Sequence, residues 1–261
     1  MLSPMQHKRI AESLFSALKS GKALPPITET HPNINIDDAY KISLAFLDLR
    51  VVKNNEKIVG KKIGVTSKAV QDMLGVFQPD FGFLTDGMAV LDGRVNVDCL
   101  ISPRAEAEIA FKLHTDLKGP GITGKDVLNA TKYIQPCFEI VDSRILDWKI
   151  KIQDTVADNA SCGVFILGDK KVNPNNLDMA SLEVVVEKNG IAISRGMSSS
   201  VQGSPENAVA WLANTLGEYG IPFLAGETIL SGSLVPLEPV LKGDKMHMEI
   251  TNLGSCEVEF V

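Results

Sequence analysis

Arg104-Ala-Glu-Ala-Glu-Ile-Ala-Phe111 alternates carboxylates with small or apolar residues, the period-two pattern of a β-strand, in which alternate side chains share a face. Glu106, Glu108 and Ala110 then look one way, while Ala105, Ala107, Ile109 and Phe111 look the other. Two carboxylates aimed at one point repel each other, and each is costly to remove from water. A hard divalent cation such as Mg²⁺ or Mn²⁺ would resolve both problems, because it takes oxygen ligands. A solvated sheet face would also explain them, and these residues alone leave both readings open.

A third carboxylate favours the metal. Tyr133-Ile-Gln-Pro-Cys-Phe-Glu-Ile-Val141 reads as a largely apolar strand with Glu139 embedded in it. A buried glutamate needs a partner. Arg144 and Lys149 are near enough in sequence to supply a salt bridge; a metal shared with Glu106 and Glu108 is the alternative.

Working outward, short strands punctuated by glycine run from Ile58 onward. They are expected over Ile58–Ile63, Ala89–Val90, Glu106–Leu113, Ile134–Val141, Gly163–Leu167, Leu182–Lys188, Glu227–Leu230, Lys245–Thr251 and Cys256–Phe260. Two helices interrupt them, near Gly124–Lys132 and over Ser204–Gly217. So few crossover helices imply an α+β fold with a mixed or mainly antiparallel sheet, not a doubly wound one. Residues 1–57 read as an N-terminal helical segment and 58–261 as the β-rich remainder. One N-terminal helix starts at Ser3-Pro4 and stops at Gly21; another starts near Asp37 and fades at Lys53-Asn-Asn. They can pack on the later core or form an oligomer contact.

A net charge of −6 and no Lys/Arg run exclude a dedicated nucleic-acid binder. The four cysteines have no C-x-x-C pair and the four histidines are dispersed, so neither a disulfide scaffold nor a zinc site is expected. No apolar run approaches bilayer length and no signal peptide is evident, which points away from membranes and to the cytoplasm.

Several further stretches bear on chemistry. Gly60-Lys-Lys-Ile-Gly-Val-Thr-Ser-Lys68 is cationic but lacks the order of a phosphate-binding P-loop. As a strand, it sends Lys61 and Lys62 to opposite sides. In Gln78-Pro-Asp-Phe-Gly82, turn chemistry alone explains Asp80. Asp154 through Gly163, including Ser161, reads as a polar loop, and Ser231-Gly232-Ser233 as a small-residue turn able to offer N–H groups to an anion. The G-x-S-x-G nucleophile elbow is absent.

These stretches, with Leu74–Gly82, Pro103–Ala110, Phe138–Arg144, Asp147–Gly163 and Ser231–Pro239, together resemble the 2-hydroxypenta-2,4-dienoate hydratase family of the fumarylacetoacetate hydrolase-like superfamily. The resemblance runs in unbroken order from Ile58 onward, making 58–261 a fumarylacetoacetate hydrolase-like catalytic domain. It implies a curved, mostly antiparallel core, a homo-oligomer, and a divalent metal held by Glu106, Glu108 and Glu139. It further implies a 2-hydroxydienoate substrate, water addition, and a place in aromatic meta-cleavage catabolism. Lys62 and Asp80 take catalytic roles under it; Lys61, Ser161, Ser231, Gly232 and Ser233 are candidates for holding substrate. The sister family, 4-oxalocrotonate decarboxylase, resembles the chain in the three glutamates and Lys62 but tends to apolar residues where Lys61 and Asp80 stand. Asp80 thereby changes from a turn residue to the one that selects the chemistry. A decarboxylase, or a non-catalytic scaffold for a partner 4-oxalocrotonate decarboxylase, is the alternative.

Overall fold

The computed structural model describes residues 1–261. Helix α1 (Pro4–Ser20) is capped by Ser3, whose Oγ accepts from Gln6 N while Gln6 reaches back to Ser3 N, and it ends at Gly21 with φ 67°. A single turn, α2 (Ile27–Thr30), leads to α3 (Ile36–Asn54), boxed in the same way by Asn35 and Asp38. Strand β1 (Ile58–Gly64), helix α4 (Lys68–Leu74) and strand β2 (Asp80–Thr85) follow. Next come β3 (Arg94–Val95), β4 (Pro103–Leu113), α5 (Gly124–Ala130), β5 (Thr131–Asp142), α6 (Ile152–Ala157) and β6 (Cys162–Leu167). The hairpin β7 (Glu183–Lys188) and β8 (Ile191–Met197), α7 (Pro205–Glu218), β9 (Thr228–Leu230), β10 (Glu238–Pro239), β11 (Lys245–Ile250) and β12 (Gly254–Phe260) complete the chain.

Two mixed sheets result. The larger has the order β2-β1-β9-β4-β5-β6 with β10 on the side of β4, and the smaller β3-β12-β11-β7-β8. All pairings are antiparallel except β1 with β9 and β12 with β3. The apolar row of β4 (Ala105, Ala107, Ile109, Phe111) packs into the main core with Phe138, Val184, Leu212 and Phe260. Its other face carries the carboxylates, next to a small cluster that includes Ala110, Cys137 and Cys162.

The N-terminal helices pack on the body of the chain. Ile10, Leu14, Ile42 and Phe46 form one cluster with Ile145, Ile150, Val156 and Ala157, so the helices back the polar segment expected near the site. No helix is long and apolar enough to cross a membrane, and all four cysteines are unpaired.

Four expectations are corrected. Ala89–Val90 makes an isolated bridge to Phe165, not a strand. Gln78–Gly82 reads as a turn from sequence, but Asp80–Thr85 is a fully buried strand whose pairing with β1 is non-local. Ile191–Met197 was not expected, although Asn189-Gly190 before it is a hairpin signal. Helices α4 and α6 also interrupt the strands.

Candidate metal centre and its pocket

Antiparallel register sets Glu106 directly opposite Glu139, with Glu108 one step further along the same face of β4. One carboxylate oxygen from each lies within 4.8 Å of the others. The solvated-face reading fails, because Glu106, Glu108 and Glu139 are 4%, 0% and 0% exposed. Burial, then the charge of Glu139, pushes Glu106 up to about 8. Glu108 is driven well above the carboxylate range by burial and its two neighbours. Burial raises Glu139 as well, against the pull of Lys62.

The cluster is poorly satisfied from within the protein. Gly232 N–H donates to Glu108 Oε2 at 2.8 Å, but Glu108 Oε1 and both Glu139 oxygens accept no hydrogen bond. Lys62 Nζ stands 3.2 Å from Glu139 Oε1, an ion-pair contact outside hydrogen-bond geometry. Burial by itself would discharge Lys62; Glu139, Asp80 and Glu106 outweigh it and hold the ammonium charged. One lysine cannot neutralise three buried carboxylates. Oxygen donors without protons, at this spacing, fit a hard divalent cation.

Asp80 opens β2 opposite Gly64 of β1, which places it beside Lys62. It is 1% exposed; Oδ2 accepts from Thr155 Oγ1 at 2.8 Å, and Oδ1 has no partner. Burial raises its pKa, with Lys62 opposing. Lys62, Asp80, Glu106, Thr155 and Ser161 form the polar wall of a pocket. Val65, Val70, Leu74, Val141, Trp148 and Leu237 form the apolar one.

The remaining expected residues separate. Lys61 faces away from the pocket: Nζ bonds Glu227 at 2.6 Å and lies 5.3 Å from the centre of the Phe223 ring. Strand alternation requires this once Lys62 points inward. Ser161 Oγ lines the pocket without a partner, and Ser231 Oγ is likewise buried and unpartnered. Ser233 Oγ is committed to Val235 O at 2.7 Å. Gly232 contributes its N–H to Glu108, and its φ of 102° beside Thr66 leaves no room for a side chain.

Arg144 does not pair with Glu139, nor does Lys149, which meets Asp147. The Arg144 guanidinium is fully buried, bonds Asp158 Oδ1 at 2.6 Å, and donates to the carbonyls of Asp142, Cys162 and Asp158. It braces Asn159, Ala160 and Ser161, three consecutive residues at φ 53°, 50° and 52°. Arg144→Met should therefore leave Asp158 buried and unpaired and cost about 3–5 kcal/mol, read by thermal denaturation as a fall of roughly 10 °C. An unchanged melting temperature would contradict this role. Thr155 and Gly64 were not singled out from sequence, and Arg144 was named there only as a candidate partner for Glu139, since the value of each lies in a partner on another element.

Residues 65–261 match the family described as fumarylacetoacetate (FAA) hydrolase C-terminal. The chain is 57% identical over 252 residues to a 2-hydroxyhexa-2,4-dienoate hydratase from Comamonas testosteroni, covering 95% of each. It is 43% identical over 260 residues to a 2-keto-4-pentenoate hydratase from Paraburkholderia xenovorans, covering 99% of this chain and 96% of that one. Among solved structures, a 4-oxalocrotonate decarboxylase from Pseudomonas putida G7, complexed with magnesium and adipate, superposes with a TM-score of 0.94 at 35% identity. That match spans 100% of this chain and 99% of the other.

Proposed function

Since the chain belongs to the fumarylacetoacetate hydrolase family, we propose that it is a metal-dependent hydratase of aromatic meta-cleavage catabolism. It adds water to 2-hydroxypenta-2,4-dienoate to give 4-hydroxy-2-oxopentanoate. The hydratase names of its relatives support this reading, and the observation that carries it is Asp80: a buried carboxyl with a free oxygen, beside a charged lysine, in the wall of the pocket. Glu106, Glu108 and Glu139 hold the divalent ion, Mg²⁺ or Mn²⁺. Bound there, the ion supplies Lewis-acid stabilisation of negative charge on the substrate's 2-oxygen.

The protein's own groups handle the protons. Lys62 stays protonated and faces the negative charge of the substrate carboxylate and enol oxygen. Asp80 enters with a proton on its free oxygen and delivers it to C5, while the dienol's hydroxyl proton passes to solvent, giving the conjugated 2-oxo-3-enoate. The Asp80 carboxylate then takes a proton from water as the water oxygen bonds to C4, and C3 takes up a proton from solvent to replace the one released earlier, which leaves Asp80 protonated as it began. Thr155 fixes Asp80 through Oδ2, leaving Oδ1 for this exchange. Ser161 and Ser231 orient the substrate. Lys61 and Ser233 stabilise the framework, and Gly232 acts through Glu108.

Likeness to the decarboxylase favours a second reading, loss of CO₂ from a vinylogous 2-oxo acid. Supplying the metal-loaded protein separately with 2-hydroxypentadienoate and 4-oxalocrotonate decides between them. Hydration of the first without CO₂ from the second is expected; CO₂ release without hydration would overturn the proposal. A homo-oligomer is also proposed, supported by the exposed Leu91 and Leu241 and read by sedimentation. Unpaired cysteines suit a reducing compartment, and we place the enzyme in the cytoplasm. Association with a 4-oxalocrotonate decarboxylase remains a proposal to test by co-sedimentation.

A further inference from the structure

Arg104 shares the face of β4 that carries Glu106 and Glu108, because it lies two residues before Glu106 in the same strand. Two strand residues span about 6.6 Å, so its backbone stands one step from the carboxylate that lines the pocket. Its guanidinium sits 4.6 Å from the ring centre of Trp148, itself part of the apolar wall. Trp148 is held in turn by its Nε1–H, which donates to Ser102 O and Oγ at 3.0 Å. On the other side, Arg104 makes a weak contact of 3.9 Å to Met73 Sδ on α4, next to the wall residue Leu74.

The guanidinium has no carboxylate within ion-pairing distance, in contrast to Arg50, Arg94, Arg144 and Arg195. A half-buried arginine that is stacked in place and yet has its donors free is pre-organised for an external anion. The charges inside the pocket create a need for one. With Asp80 protonated, Glu106, Glu108 and Glu139 can carry three negative charges, which Lys62 and a divalent ion together only balance, leaving no net positive charge for an incoming carboxylate. In a protein of net charge −6, an anionic substrate is drawn to the pocket by a further cation that borders its path.

We propose that Arg104 binds the carboxylate of the 2-oxo acid substrate at the mouth of the pocket, making it a substrate-binding residue in addition to Lys62. This inference rests on the pocket being a 2-oxo acid site. Its chemistry is charge plus a planar fork, with Trp148 setting the fork's orientation. Bracing Trp148 alone, and binding of the far carboxylate of a diacid, are the two outcomes that the test separates from it.

The test measures binding of 2-oxopentanoate, an unreactive saturated 2-oxo monoacid, to the Mn²⁺-loaded protein by calorimetry. Arg104→Met should raise its Kd at least about tenfold and flatten the dependence of Kd on ionic strength, while Mn²⁺ affinity and melting temperature stay unchanged. Arg104→Lys should recover part of the affinity and of the salt dependence. Equal affinity in Arg104→Met and the wild type would overturn the inference, as would an Arg104→Lys variant as poor as Arg104→Met. Comparison with 2-oxoadipate separates the two ends: an effect confined to the diacid assigns Arg104 to the far carboxylate and refutes the assignment made here. Failure of the wild-type protein to bind either acid would overturn the pocket reading itself, and this inference with it.

Discussion

Glu106→Gln should stop turnover and, in metal-free protein near pH 8, raise the melting temperature. The two effects share one cause. Glu106 is held up to about 8 by burial and by Glu139, against an ordinary value near 4.5, so the folded state binds its proton more tightly than the unfolded state does. The stability this provides is fully present below 4.5 and is lost as pH rises through about 8. A neutral amide removes the penalty, worth on the order of 3 kcal/mol or roughly 6–12 °C at the upper end of that window. The same change removes one oxygen anion from the cation site, so kcat should fall about 10³-fold or more, equivalent to several kcal/mol of lost charge stabilisation. Differential scanning calorimetry between pH 5 and 8 and a hydration assay check the pair. The melting temperature of metal-free wild type should fall across this range, and added Mn²⁺ should restore it most at the alkaline end. A variant that is both inactive and less stable than wild type at pH 8 would mean that the glutamates are satisfied within the protein.

Gly64→Ala is the second large effect, and it acts through Asp80. A Cβ at position 64 would stand 2.2 Å from Asp80 Oδ1 and 3.4 Å from Lys62 Nζ. Because Gly64 pairs with Asp80 across the β1–β2 ladder, neither backbone can withdraw without breaking it. The carboxyl must rotate, giving up Thr155 or the free orientation of Oδ1. Hydration should fall about 10²-fold in kcat, and Asp80→Asn by about 10²–10⁴-fold, the range for a lost acid–base group. Mn²⁺ affinity should be unaffected in both. An Asp80→Asn variant that hydrates at the wild-type rate would refute the role given to Asp80. A Gly64→Ala variant at full rate would show that the position of Oδ1 does not matter.

What could be read in the chain, and what could not, divides along local and non-local information. Period two in Arg104–Phe111 was enough to put Glu106 and Glu108 on one face, because strand geometry alone dictates which residues share a face, and the apolar setting of Glu139 marked it as a carboxylate that needs a partner without naming which. Their meeting depended on register, which places Glu106 against Glu139 and is not visible in either strand by itself. Alternation showed that Lys61 and Lys62 diverge; only β9 and the glutamate preceding it explain why Lys61 is the one turned to Glu227. Asp80 was misread on residue evidence because Pro79 looked like the start of a turn. Pro79 is instead the residue before a strand that begins at Asp80 and is made regular by its partner β1. Arg144 was offered to Glu139 on proximity in sequence, whereas its partner is Asp158 and the partner of Glu139 is Lys62. In each case the residue type was informative and the partner was not.

We propose that three buried glutamates serve a divalent ion on which hydration depends. Exhaustive chelation, followed by titration of Mn²⁺ into metal-free buffer while consumption of 2-hydroxypenta-2,4-dienoate is followed, tests it most directly. The expected result is no hydration in the stripped protein and recovery that saturates at about one ion per chain, with Glu106→Gln, Glu108→Gln and Glu139→Gln each failing to recover. Full hydration by the stripped wild-type protein would contradict it.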